Sequence, residues 1–218
     1  MDLNQLPQVI TAVGGLGTAA FGLVDASKAV LPINRIGFGR IRDAVAGLTS
    51  NAATNSLSQP KILDTLEADW CNGTDIASQK AIAKSLIKLN FSTTNAAQIA
   101  AATGIDSATL GDIAKSIAAG TPLNSQQGDL YARFDLIVTA LLDEAYQYSD
   151  QVYRNWTRAL AAIVAVALAI VGGLTLKMGI LPSILVGLLA TPLAPIAKDV
   201  SSALAAAVNT MQAVKKAS

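Results

Sequence analysis

The chain has 218 residues, of which 52% are hydrophobic and 14% charged, and its formal net charge is +1. Soluble domains carry about 25% charged residues, so the composition favours a membrane protein, while the near-neutral charge provides no overall field to attract nucleic acid. The chain has no histidine and a single cysteine, Cys71, which excludes Ser-His and Cys-His catalysis and leaves no Cys/His cluster for zinc. We therefore predict no enzymatic activity, no metal and no cofactor.

Three uncharged stretches are long enough to cross a bilayer, which needs about 20 mostly apolar residues. They are Leu6 to Val24, Ala159 to Leu176 and Met178 to Ala197. The second and third are separated by the single charge of Lys177, so they predict a transmembrane hairpin. The first contains four glycines and several polar residues, which makes it the weakest of the three.

The basic residues near these stretches predict the orientation of the chain, because cytoplasmic flanks are enriched in Lys and Arg. With three spans, every basic cluster falls on one side. These clusters are Lys28, Arg35, Arg40 and Arg42 after the first span, Arg154 and Arg158 before the second, and Lys198, Lys215 and Lys216 after the third. We expect the N-terminus outside, and the region between the first two spans and the C-terminus in the cytoplasm.

The segment from Ile33 to Leu48 has helical periodicity, with apolar residues on one half of a helical wheel. Arg35 and Arg42 lie opposite that half. Such a helix can lie along the membrane surface, with its basic residues at the lipid phosphates. An ordinary packed helix fits the pattern equally well. We assign residues 1–48 to the first span and this helix.

Residues 49–128 are predicted to form a small helical cytoplasmic domain without strands. A polar linker opens it, and Asn72-Gly73 and Gly120-Thr121-Pro122 separate its helical segments. Those segments are Lys61 to Trp70, Asp75 to Leu89, Asn95 to Thr103 and Ser107 to Ala119.

Residues 129–218 are predicted to form one long helix that continues into the transmembrane hairpin, followed by an amphipathic helix from Asp199 to Ala217. No proline or glycine interrupts the chain between Asp129 and Val171. Aromatic rings with polar edges favour the headgroup level, so the aromatic residues ahead of the second span predict an interfacial belt, together with Arg35 and Arg42. These aromatic residues are Tyr146, Tyr148, Tyr153 and Trp156. Packing against the helical domain is the alternative for some of them.

Small residues recur along two of the spans. Small side chains let helices approach closely in lipid, so each strip predicts a helix-packing or oligomer interface, within one chain or between copies. The strips are Gly14, Thr18 and Gly22 in the first span, and Ala161, Ala165, Ala169 and Gly173 in the second.

Polar residues in the first span suggest a conduit. Gln8, Thr11 and Thr18 lie on adjoining parts of one helix, and polar groups in a span usually face protein or water rather than lipid. Several copies around an axis would line a polar pore. Hydrogen bonding between packed helices is the alternative.

The segment from Ala97 to Lys115 resembles a helix-turn-helix motif in the placement of its turn glycine, Gly104, and its hydrophobic residues. A DNA-reading helix presents Arg, Lys, Asn or Gln to the bases, whereas Lys115 is the only basic residue of the second helix. We interpret the motif as a structural corner and expect no nucleic-acid partner.

Taken together, these patterns predict an all-α integral membrane protein with three transmembrane helices and a small helical cytoplasmic domain. We expect its partners to be the lipid bilayer and copies of itself. The predicted function is an oligomeric channel or pore that the cytoplasmic domain gates. The alternative is a structural scaffold or accessory subunit of a larger membrane complex.

Overall fold

The computed structural model describes residues 6–28, 32–50 and 57–195. Within this part of the chain every regular element is helical, which confirms the all-α prediction. The helices are α1 (Leu6–Ser27), α2 (Phe38–Leu48), α3 (Gln59–Cys71), α4 (Ile76–Asn90), α5 (Ala96–Thr103), α6 (Ser107–Ala118), α7 (Ser125–Thr175) and α8 (Ile180–Pro195), with a 3₁₀ turn at Pro32–Arg35.

The chain forms two compact units. One, which we call the apolar unit, draws on the described residues of Met1–Ile33 and Arg154–Ser218. The other, the helical unit, is Asn34–Tyr153. The 51-residue helix α7 contributes to both units. The unbroken pattern after Asp129 predicted this long helix, although α7 begins four residues before Asp129. The predicted C-terminal helix from Asp199 to Ala217 lies outside the described residues.

Local signals in the sequence set the ends of the short helices. Asp75 and Asp106 cap α4 and α6 by accepting hydrogen bonds from the backbone N–H groups of Ser78 and Thr109, each at 2.8 Å. These bonds hold the pKa of both carboxyl groups below the usual range. Gly104 ends α5 in the left-handed conformation, with φ of 68°.

The helical unit has one hydrophobic core. Its largest fully buried side chains include Phe38, Phe134 and Tyr146. Phe91 stacks on Phe134 with ring centroids 5.4 Å apart, which joins the end of α4 to α7. The core therefore holds the short helices α2 to α6 against the first part of α7.

Helix α2 belongs to this core and does not present a free apolar face. Its Phe38, Ile41, Val45 and Leu48 are all buried within the helical unit. This arrangement corresponds to the packed-helix alternative for the segment from Ile33 to Leu48. The segment is also not one helix, because Gly37, with φ of 93°, separates the 3₁₀ turn from α2.

Candidate functional site

Helices α7 and α8 pack through their small residues. Ala161 and Ala165 are fully buried and Ala169 nearly so. A Cβ atom added to Gly187 of α8 would lie 2.5 Å from the Cα of Val166, and one added to Gly173 would lie 1.9 Å from the Oγ of Ser183. The structure thus places the predicted strip of the second span in a contact within one chain.

Helix α1 joins the same unit by an equally close contact. A Cβ on Gly17 would lie 2.0 Å from the carbonyl oxygen of Ala190. Ala20 is fully buried and forms a small cluster with Ala165 and Ala190. Gly17 was not among the predicted interface residues, and the four glycines of α1 give no sequence signal that separates it from the others.

The outward faces of α7 and α8, and the turn between them, carry large apolar side chains. Ile163 is 66% exposed and Leu181 is 71% exposed. Others with more than half of their surface exposed are Val171, Leu174, Leu176, Ile180, Leu185, Leu188 and Leu189. The apolar unit therefore has small residues between its helices and large apolar residues outside, the reverse of the arrangement expected for a water-soluble bundle.

The outward face of α1 is mixed, because small and polar residues lie beside the exposed Val9 and Leu23. Thr11, Thr18 and Gly22 are exposed, and nothing lies within 4 Å of a Cβ added to Gly22. Gly14 is buried, so the structure does not bring the three predicted strip residues of α1 into one contact. The Thr18 hydroxyl donates to the carbonyl oxygen of Gly14 at 3.1 Å. Gln8 lies in α1, but its side chain is outside the described part of the structure.

The residues predicted to form an aromatic belt separate into two groups. Tyr146 is fully buried in the helical unit, where burial raises the pKa of its hydroxyl group. It cannot meet lipid headgroups, and this part of the prediction is corrected. Tyr153 meets the ring of Trp70 edge-on at 6.1 Å. Tyr148 and Trp156 are 54% and 56% exposed.

The two predicted interfacial arginines converge on one carboxylate. Arg35 Nε and a terminal nitrogen of Arg42 each lie 2.9 Å from an oxygen of Glu67 on α3. The Arg42 guanidinium also lies 5.4 Å from the centre of the Phe38 ring. Both arginines keep more than half of their side-chain surface exposed, but their observed partner is Glu67, which the sequence patterns did not single out.

A row of ion pairs joins α4 to α7. Lys80 binds Asp143 at 2.5 Å, while Lys84 and Lys88 bind Asp135 at 2.5 and 3.0 Å. Hydrogen bonds from Lys84 and Lys88 hold the pKa of Asp135 below its usual range. A cavity of about 260 Å³ beside this row is lined by Lys80, Ala81, Lys84, Thr139, Leu142 and Asp143. Each charged residue that lines it is in an ion pair, Lys80 with Asp143 and Lys84 with Asp135, which lies outside the lining.

The described residues carry carboxylates and one thiol, the side chains that could bind a metal ion in a chain without histidine. They contain no group of three or more His, Cys, Asp or Glu side chains placed to hold a metal ion. Burial raises the pKa of the Cys71 thiol, which disfavours the reactive thiolate. In the helical corner formed by α5 and α6, Lys115 lies 3.1 Å from Asp112, so the one basic residue of α6 already has an acidic partner.

Fold and site together define a helical protein with two helices, α7 and the Val9–Ser27 part of α1, long and apolar enough to cross a membrane. The shorter α8 is also apolar. Comparisons with protein-family models, with curated proteins and with solved structures find no match for this chain.

Proposed function

We propose that the chain is a self-assembling multi-pass membrane protein, in which α1, the apolar part of α7 and α8 span the bilayer. The observation that carries this proposal is the packing of the apolar unit, with small residues inside and large apolar residues outside. Only 22% of each of the two candidate spanning windows is buried. The core helix of a soluble protein would be mostly buried.

Exposing the outward apolar side chains of this unit to water would cost free energy, which favours lipid as its surroundings. Removing one Leu, Ile or Val side chain fully from water is worth about 1.5–3 kcal/mol. At least nine such side chains of α7 and the segment through α8 are more than half exposed. A bilayer removes this cost, while small residues between helices give the close packing that holds helices together in lipid.

We further propose that several copies assemble around the outward face of α1 and form a pore. Within the described part of one chain, buried residues, most of them alanine and glycine, fill the space between the three helices, so a conduit requires several copies. The exposed Thr11 and Thr18 are polar groups on the surface of an otherwise apolar unit, and with Gln8 they would line the pore. The helical unit would then act as a cytoplasmic gate or sensor.

One observation favours the scaffold alternative. The Thr18 hydroxyl already has an acceptor in its own helix, the Gly14 carbonyl oxygen, so Thr18 does not need water or a polar partner. In that case the same face of α1 packs against another helix of a larger membrane complex, and no conduit exists.

A charge introduced at Thr18 of α1 distinguishes the pore from the scaffold. In a pore, the carboxylate of Thr18→Asp stays hydrated, the oligomer keeps its mass, and the ring of charges increases cation selectivity in bilayer recordings. Ala167→Asp is the matched control, because Ala167 is exposed on the outward face of α7. There the charge faces lipid at a cost of at least about 2.5 kcal/mol, and we expect lost insertion. A Thr18→Asp protein that fails to assemble, together with a wild type that passes no current, supports the scaffold.

A further inference from the structure

The only Asn-Gly pair of the chain, Asn72-Gly73, lies in the turn between α3 and α4. Asn72 and Gly73 are both exposed. Gly73 adopts φ of 69°, and nothing lies within 4 Å of a Cβ added to it. The turn therefore leaves the Asn72 side chain accessible to water, and no atom from elsewhere in the described structure crowds the Cα of Gly73.

We propose that Asn72 is a site of spontaneous deamidation. The Gly73 amide nitrogen attacks the side-chain carbonyl carbon of Asn72, and a new C–N bond closes a five-membered succinimide. The bond between that carbon and the side-chain nitrogen breaks, and the nitrogen leaves as ammonia with the proton of the Gly73 N–H. Water then attacks one of the two ring carbonyl carbons and breaks the bond from that carbon to the ring nitrogen, which gives aspartate or isoaspartate. The only co-reactant is water. A following glycine favours the step because it has no Cβ to hinder ring closure and its backbone is permissive.

Backbone hydrogen bonds of the turn limit the rate of this reaction in the folded protein. The Gly73 N–H donates to the carbonyl oxygen of Trp70, and the Thr74 N–H donates to that of Asp69, each at 3.1 Å. These two bonds form the C-terminal cap of α3. The Gly73 nitrogen must leave its bond before it can attack, so the turn has to open locally. The reaction is therefore slower in the folded protein than in the unfolded chain.

Other asparagines of the described chain lack this combination. Asn90 and Asn95 are buried and hydrogen-bonded to each other. Asn124 is exposed, but a serine follows it and its side-chain oxygen accepts a bond from the Gln127 N–H at 2.8 Å. Asn124 thus serves as an exposed internal comparison for Asn72.

The products alter the end of α3. Either product adds a negative charge at the C-terminal end of a helix, where the helix dipole disfavours it. Isoaspartate also lengthens the backbone by one carbon, which disrupts the bonds from Gly73 and Thr74. The modification would therefore loosen the turn next to Trp70, whose ring packs near Tyr146 and Tyr153.

The test is peptide mapping of the full-length protein kept folded in detergent in mildly alkaline buffer. We expect the peptide that contains Asn72 to be converted from the amide to the acid, measured by its increase in mass, several-fold faster than the Asn124 peptide. Enzymatic methylation detects the isoaspartate. The Asn72→Gln variant should abolish the signal. A urea-unfolded sample should convert faster. If the folded protein keeps Asn72 intact while the unfolded chain converts it, or if Asn124 converts first, the proposal is overturned.

Discussion

At the scale of single residues, glycine fixes the closest helix contacts of the apolar unit. Gly17, Gly173 and Gly187 each occupy a position where a Cβ would overlap a neighbouring atom. The periodic spacing of small residues on the second span predicted Gly173 and its three alanines. Gly17 and Gly187 could not be found this way, because which glycine faces a neighbour depends on how the helices are arranged, and a single helix pattern does not contain that information.

Replacing Gly187 with alanine should therefore weaken the packing of α7 against α8. The new Cβ would meet the backbone of Val166, which cannot move aside as a side chain can, and overpacking of this kind costs about 1–3 kcal/mol. Thermal unfolding in detergent would show a lower midpoint for Gly187→Ala. Gly172→Ala is the control, since nothing lies within 4 Å of a Cβ there. Equal midpoints for the two variants would contradict the close contact.

At the scale of elements, local signals in the sequence determine the short helices. The segments predicted between Lys61 and Ala119 match α3 to α6 within two residues at each end, because turn glycines and capping aspartates act locally. The partners of those helices depend on distant residues. Glu67 and the ion pairs between α4 and α7 were therefore not predicted, and Tyr146, which lies among aromatic residues near the apolar run, is instead buried in the core.

The ion pairs between α4 and α7 predict a dependence of stability on acid. Asp135 has a lowered pKa in the folded protein, so its contribution to the free energy of unfolding is present above its unfolded pKa, about 3.9. It is lost as pH falls through the lower folded value. Asp135→Asn should flatten the loss of stability below about pH 4, as measured by urea unfolding monitored by tryptophan fluorescence. Asp129→Asn, at an exposed position of the same helix, is the control. An unchanged acid slope in Asp135→Asn would contradict the role of these pairs.

At the scale of the whole molecule, composition and periodicity predicted the all-α class and the two long apolar helices. The predicted regions 1–48, 49–128 and 129–218 have other bounds than the two compact units. One reason is that the helix after Gly37 has an amphipathic pattern whether its apolar face meets lipid or a protein core. Three spans, the orientation of the termini and the pore are proposals that rest on the packing of the apolar unit.

The most direct test of the membrane proposal measures whether the outward residues of the apolar unit contact lipid or water. With Cys71 replaced by serine, spin labels at Ile163 and Leu185 report contact with lipid-soluble oxygen or with a water-soluble nickel complex in reconstituted vesicles. Leu136, which is 70% exposed in the helical unit, provides the aqueous comparison. We expect oxygen to dominate relaxation at Ile163 and Leu185 and nickel to dominate at Leu136. Dominant nickel relaxation at all three positions would contradict a membrane-embedded apolar unit.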